Sequence, residues 1–302
     1  MLAGRVTGLC YRYHKVRRGI ARYGVVRTAQ GVQRMLDYRL RRPAEGVIRT
    51  HRDELAIHFL YPRQFMPTLA LFGELVEPEY ELLRRILTAD SVVFDVGGGI
   101  GTYALTAARR GVRAVHVFEP TGEGYAAIVR NLQANDLARD NVVVNRLAVS
   151  DRRGTLVMKR RESLFVGSVM PESGERAHGE VIATVTLDEY CQERGIERID
   201  VLKVDVEGHE AQVIDGARGL ISRRAIDVLI LEVDAGRAAL YRSVAAAGYA
   251  AYFYDDDGHA LLPVRPLTEA RLRALKPKGF HCNLVIARAD RLTDIDHTTA
   301  IP

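Results

Sequence analysis

Two short stretches of this 302-residue chain carry reactive or ligand-binding groups at meaningful intervals. In Asp95-Val96-Gly97-Gly98-Gly99-Ile100-Gly101, four glycines within five positions let the backbone come close to a ligand. A helix beginning directly after them would aim its free N–H groups at the same place. Twenty residues beyond Gly99, Glu119-Pro120 closes the next apolar run, where a carboxylate can accept the hydrogens of both ribose hydroxyls. The second stretch is Lys203-Val204-Asp205-Val206-Glu207-Gly208-His209. There, three ionisable residues at a spacing of two, on the end of a strand, would share one face. Asp205 or Glu207 could take a proton from a hydroxyl nucleophile or orient it, with His209 as the other candidate base and Lys203 as the cation beside them. The plainer reading makes Lys203 an ion-pair partner that fixes Asp205, and His209 a helix-start residue.

Two cofactors are compatible with the glycine stretch. Gly99-x-Gly101-x-x-Ala104 followed by Glu119 fits a dinucleotide fingerprint, hence an NAD-dependent oxidoreductase. Asp95, two residues ahead of the first glycine, suits a ligand with an ammonium group and no phosphate, such as S-adenosylmethionine. A divalent metal on Asp205, Glu207 and His209 is chemically reasonable, but the spacing matches no metal signature, and none is assigned.

These residues need a scaffold that gathers strand ends. Apolar runs at Ser91–Val96, Ala114–Phe118, Val142–Val149, Ile199–Val204, Ile226–Val233, Tyr249–Tyr254 and Cys282–Ala287 read as strands. Helices are expected at Glu79–Leu87, Thr102–Arg110, Gly124–Asn135, Glu210–Ala217 and Gly236–Ala247. Thr186-Leu187-Asp188-Glu189 is a capping box opening another. Near-continuous apolar strands alternating with helices imply a mostly parallel sheet covered on both faces. A small hairpin is expected within 46–60. Lys159–Glu180, polar and aperiodic, reads as a loop or lid over the acceptor site.

Hydrophobic residues at 47% exclude a disordered chain, and no apolar run approaches the 18 or so residues of a membrane-spanning helix. Charge is uneven. Residues 1–52 hold thirteen Arg and Lys against Asp37 and Glu45, a net +11, while the remainder is −6. Val6, Leu9, Tyr13, Val16, Ile20 and Tyr23 form a helical stripe in that basic leader, and a second helix is expected near 32–40. The leader would either dock on the main domain or meet an anionic partner, a lipid surface ahead of a nucleic acid. Cys10, Cys191 and Cys282 are too few and too scattered for a disulfide framework, which fits a reducing, cytoplasmic setting.

With these motifs in place, the chain resembles the FkbM family of S-adenosylmethionine-dependent methyltransferases. The resemblance rests on Glu77-Pro78-Glu79, Val93-Phe94-Asp95-Val96-Gly97-Gly98 and Phe118-Glu119-Pro120. It continues through Asn131, Asn135, Ala148-Val149-Ser150-Asp151, Thr186-Leu187-Asp188 and Lys203-Val204-Asp205-Val206-Glu207-Gly208-His209-Glu210. The family usually has Asn where this chain has Gly99. The resemblance implies a Rossmann-like class I methyltransferase: a seven-stranded, mostly parallel α/β sheet with helices on both faces and a terminal antiparallel strand. It implies methyl transfer to a hydroxyl of a sugar, glycolipid or natural product. Asp95, Gly97, Gly99 and Gly101 would line the methionine part, Glu119 and Pro120 the ribose, the backbone at Ala148 the adenine, and Asp205 the reacting end. The expected division is a basic helical extension over 1–45 and the methyltransferase domain over 46–302, with peripheral membrane contact through 1–42 left open. The other readings are an RNA methyltransferase and a non-catalytic binding module on the same fold.

Overall fold

The computed structural model describes residues 20, 24–50, 52–73, 77–159, 169–170, 179–255, 260–275 and 283–292. Most of the stripe from Val6 to Tyr23, residues 160–168 and 171–178 of the Lys159–Glu180 loop, Cys10 and Cys282 lie outside these residues.

Helix α1 (24–41) leads into a hairpin of β1 (Glu45–Arg49) and β2 (Ala56–Leu60). Helices α2 (Pro67–Phe72) and α3 (Glu79–Ile86) follow. The central alternation then runs β3 (Val92–Val96), α4 (Thr102–Arg109), β4 (Ala114–Phe118), α5 (Gly122–Ala134) and β5 (Val142–Asn145). A side sheet is built from β6 (Ala148–Val149), β7 (Gly154–Lys159), β8 (Val169–Met170) and β9 (Gly179–Val185). Helix α6 (Leu187–Arg194) has the expected capping box on Thr186 and Glu189. The chain closes with β10 (Ile199–Val204), α7 (Glu210–Asp215), α8 (Arg218–Ser222), β11 (Ile226–Glu232), α9 (Ala238–Ala246), β12 (Ala250–Asp255), β13 (Ala260–Pro263), α10 (Glu269–Leu275) and β14 (Asn283–Ala287).

The main sheet has the order β13-β12-β14-β11-β10-β3-β4-β5. Strands β5, β4, β3, β10 and β11 pair in parallel, and β14 runs antiparallel between β11 and β12. The expected seven strands are present with the last antiparallel, and β13 adds an eighth at the edge. One apolar layer includes Leu83, Tyr103, Leu105, Ile128 and Leu132; the opposite layer includes Phe94, Tyr190, Leu220, Leu231 and Tyr241. The order reverses direction between β3 and β10, the switch point beyond whose carboxyl ends ligands bind in open parallel sheets.

Two expectations need correction. Val142–Val149 is not one strand. It breaks at Asn145-Arg146: β5 continues the main sheet, and β6 pairs with β9 in the side sheet. Asn145 Nδ2 donates to Val117 O, which ends the pairing with a side chain where a longer strand would use its backbone. Strand β9 also occupies residues read only as the link between the loop and α6.

The hairpin is fastened to the body by side chains that imitate a neighbouring strand. Asn135 Oδ1 accepts from Ala56 N at 2.7 Å, and its Nδ2 donates to Ala56 O at 2.8 Å. Asn131 does the same to His58, at 2.7 and 3.1 Å, and also donates to Ile100 O in the glycine loop at 2.9 Å. Gln64 Oε1 accepts from Leu60 N. Asn131 is fully buried. Asn131→Ala should therefore cost about 2–4 kcal/mol, because it orphans backbone groups of β2 and the loop. Asn131→Asp keeps the shape but turns the donor facing two carbonyls into an acceptor, and should be no milder. Urea denaturation of the three proteins at neutral pH checks both.

Candidate active site

The glycine stretch forms the turn from β3 into α4. At Gly97, with φ +86°, a Cβ would lie 1.9 Å from Asp205 O, so only glycine lets this turn cross the end of β10. Asp205 N in turn donates to Val96 O, locking the two strand ends together. Gly99 adopts φ +57°, a left-handed value that asparagine also tolerates. The departure at this position thus leaves the backbone path of the loop intact. Glu119 closes the loop from the next strand. Its Oε2 accepts from Gly99 N at 3.0 Å, and its Oε1 accepts from Thr121 N at 3.0 Å and Thr121 Oγ1 at 2.6 Å. Gly124 provides the room, since a Cβ there would meet the Glu119 carboxylate at 2.6 Å. Burial pushes the Glu119 carboxyl up, and these three donors pull against that.

Beside the loop, Lys203 is buried at 2% exposure in a ring of acids. Its Nζ donates to Asn283 Oδ1 at 3.0 Å and lies 3.7 Å from both Glu77 Oε2 and Asp205 Oδ2. The Tyr103 ring centroid is 5.0 Å away, and Tyr103 and Asn283 both donate to Glu77 Oε2. Asp95 is buried and accepts from Ala104 N at 3.2 Å, in the first turn of α4. Glu79 Oε2 is buried with no hydrogen-bond partner among the described residues. Burial works against the lysine's charge, but Glu77, Asp205, Glu79 and Asp95 together outweigh it and raise its pKa. The acids respond in the opposite sense. Burial, partly offset by Lys203, pushes Asp95 up to about 7. Burial and the charge of Glu77 push Glu79 up to about 7. Asp205 is raised by burial and by Glu77, Glu232 and Glu210, with Lys203 opposing, yet its side chain keeps 36% exposure.

The remaining expected residues are spread more widely. The two-residue alternation brings Lys203 and Asp205 together and then stops. Strand β10 ends at Val204, and Glu207, at φ +51°, sits in an exposed left-handed turn. His209 is buried at the start of α7, with Nε2 at 2.9 Å from Ser150 Oγ, and burial lowers its pKa. Asp205, Glu207 and His209 do not converge as a metal-holding set, and the described residues contain no other group of three that does. Ala148 lies on β6 beside Thr184 of β9, and Pro120 is half-buried after Glu119. Residue spacing alone gives no sign that Glu77, Glu79, Tyr103 and Asn283 belong to the site. Glu77-Pro78-Glu79 stood out in the sequence, but only as part of a resemblance.

Comparison with known proteins decides the family, since the methyltransferase FkbM domain matches residues 95–253, more than half of the chain. The chain belongs to the FkbM methyltransferase family. Among curated relatives, the hexuronic acid methyltransferase AglP of Haloferax volcanii is 27% identical over 52% of this chain and 63% of its own length. The 31-O-demethyl-FK506 methyltransferase FkbM of Streptomyces tacrolimicus is 31% identical over 43% of this chain and 60% of its own. The chain thus spans less than two thirds of the length of these relatives. A solved FkbM methyltransferase from Methylobacillus flagellatus superposes with a TM-score of 0.43 at 13% identity, covering 73% of this chain and 53% of that one. The FkbM match contains Asp95, Glu119, Lys203 and Asp205, while Glu77, Glu79 and Asn283 flank it on either side.

The site should be visible in the pH dependence of this FkbM-family fold. Asp95 binds its proton more tightly folded than unfolded, so its contribution to stability is complete below its ordinary value of 3.8 and lost as pH rises through about 7. Glu79 acts in the same sense, from 4.5 to about 7. The ligand-free melting temperature should therefore fall between pH 5 and pH 7.5, and Asp95→Asn should flatten that slope. Thermal melts in a constant-ionic-strength buffer series check this; an unchanged slope in the variant would remove Asp95 as its source.

Proposed function

We propose that this chain is an S-adenosylmethionine-dependent O-methyltransferase acting on a hydroxyl of a sugar, glycolipid or natural-product acceptor. The carrying observation is the composition of the side-chain cluster at the β3–β10 switch point. Glu77, Glu79, Asp95 and Asp205 surround one lysine, directly under a glycine turn. A pyrophosphate would be repelled by that excess of carboxylates, which disfavours a dinucleotide. A ligand bearing an ammonium and a sulfonium would be attracted. The unpartnered Glu79 Oε2 and the close backbone approach at Gly97 fit the same ligand.

In this reading, S-adenosylmethionine supplies an electrophilic methyl group on sulfur when bound. Asp95 would meet the amino end, whose positive charge favours the ionised form of a carboxyl that the empty site leaves partly protonated. Glu119 spends one lone pair of Oε2 on Gly99 N and keeps further acceptor capacity for the ribose hydroxyls. Gly99 and Gly101 keep the loop thin enough for the ligand to lie against it, Pro120 follows Glu119 at the ribose, and the backbone at Ala148 borders the adenine end. Asp205, the most exposed carboxylate of the group in contact with Lys203, would orient the acceptor hydroxyl and accept its proton. Lys203 is a positioning residue, since its Nζ is committed to Asn283, Glu77 and Asp205. Glu207 and His209 lie farther along the same turn, where they border the acceptor side. The acceptor class is supported by the relatives' names, one a hexuronic acid methyltransferase and another a methyltransferase of a demethylated natural product.

Isothermal titration with S-adenosylmethionine, S-adenosylhomocysteine and NAD tests the cofactor. Binding of the two sulfur ligands and not of NAD is expected, and the reverse pattern would sink the proposal. With an accepted sugar in hand, Asp205→Asn should lower kcat about 100-fold or more while changing cofactor affinity less than about threefold. Equal losses in both would make Asp205 a cofactor-binding group instead.

A further inference from the structure

The N-terminus of α5 gathers carboxylates from three directions. Glu119 follows β4 just ahead of the helix, Glu123 stands in its first turn, and Glu180 reaches it from β9 of the side sheet. The partial positive charge of a helix start favours acids there, but acids collected at one turn also oppose one another. Two of them are matched by arginine. Arg63, which follows β2, donates through Nε to both oxygens of Glu123 at 3.0 and 2.9 Å, and through Nη2 to Oε2 at 2.7 Å. Arg146 Nη2 donates to Glu180 Oε1 at 2.6 Å, and Gly122 N donates to the same oxygen at 3.3 Å. Glu119 is held by neutral donors instead, Gly99 N, Thr121 N and Thr121 Oγ1.

Arg146 is placed for this pairing by the break between β5 and β6. Phe118 is level with Asn145 in the parallel ladder, so the next residue on each strand, Glu119 and Arg146, stands at the same height. The guanidinium lies over the first residue of α5, where a Cβ on Gly122 would be 3.0 Å from Nη2. Burial pushes the Glu119 carboxyl up, and the charge of Glu180 adds to that push.

We propose that Arg146 is a positioning residue for the ribose end of the cofactor: by neutralising Glu180 it leaves Glu119 free to stand ionised at the start of α5 and accept the ribose hydroxyls. This inference rests on the S-adenosylmethionine reading above. An ionised carboxylate accepts at both oxygens and makes the stronger hydrogen bond. Without Arg146, the bare charge of Glu180 would face a Glu119 that is only 6% exposed and would favour its protonated form. Arg63 and Glu123 flank the same turn, but their pair also ties α5 to the segment after the hairpin. The Arg146–Glu180 pair is open to solvent, with side chains 58% and 39% exposed, so its charge can be changed with little effect on folding.

Titration calorimetry with S-adenosylhomocysteine at pH 6 and pH 8 tests this on the full chain, Arg146→Ala, Glu180→Gln and their combination. Arg146→Ala should weaken binding about threefold to fivefold at pH 6 and less than about twofold at pH 8, because rising pH restores the Glu119 charge. Glu180→Gln keeps an acceptor for Gly122 N without the charge and should bind as tightly as the unaltered chain. The double variant, and Arg146→Lys, should recover the original affinity to within about twofold. If the pair only fastens the side sheet to α5, both single variants weaken binding alike and the double variant is no better, and that pattern overturns the proposal. An Arg146→Ala protein that binds normally at pH 6 overturns it too. An unaltered chain that binds no S-adenosylhomocysteine removes the cofactor reading and this proposal with it, whereas normal binding by the unaltered chain without rescue in the double variant refutes this proposal alone.

Discussion

The candidate site is organised by one buried cation. Lys203 gathers groups from segments far apart in the chain: Glu77 ahead of α3, Asp205 at the end of β10 and Asn283 on the last strand, with the charges of Glu79 and Asp95 facing it. A buried lysine or a buried carboxylate alone would be costly, and each is tolerable here because the other is present. Burial, only partly offset by Lys203, explains why Asp95 and Glu79 hold their protons near neutrality, while the acids around Lys203 hold its proton more firmly still. The same surplus of acids that suits a cationic ligand is a strain on the ligand-free fold.

Around that centre, backbone geometry is as constraining as charge. Parallel pairing of β3 with β10 brings Asp95 level with Lys203. The crossing at Gly97 sets the glycine turn directly on the Asp205 carbonyl. Farther out, His116, Tyr190 and Asn145 form a buried chain beneath β4 and β5, with His116 held neutral by burial at about 4. That chain stiffens the strands carrying Glu119 without entering the candidate site.

Much of this was readable from residue patterns because parallel strands are buried on both faces and leave uninterrupted apolar runs, as in Ile226–Glu232. The capping box at Thr186 and the glycine turn are equally local signals. What escaped is non-local or mixed in character. Nothing between residues 77 and 283 announces that Glu77 and Asn283 share a lysine; only the sheet order does. Strand β9 alternates an exposed Val181 with a buried Ile182 beside a polar stretch, too short a pattern to separate from the adjoining loop. The split of β5 from β6 was masked by the valines on both sides of Asn145-Arg146. Regular spacing at Lys203, Asp205 and Glu207 suggested a shared face, but it extends only as far as the strand that enforces it.

The asparagine contacts on β2 have a bearing on solubility. A two-stranded ribbon has two open margins, each a template for strand addition by another molecule. On β2, the outward amides of residues 56, 58 and 60 are already occupied by Asn135, Asn131 and Gln64. The side chains that hold the hairpin in place also make that margin unreadable to a foreign strand. An isolated ribbon of such apolar residues as Ile57 and Phe59 would be an aggregation hazard; here it is sealed by amides borrowed from a helix and a turn.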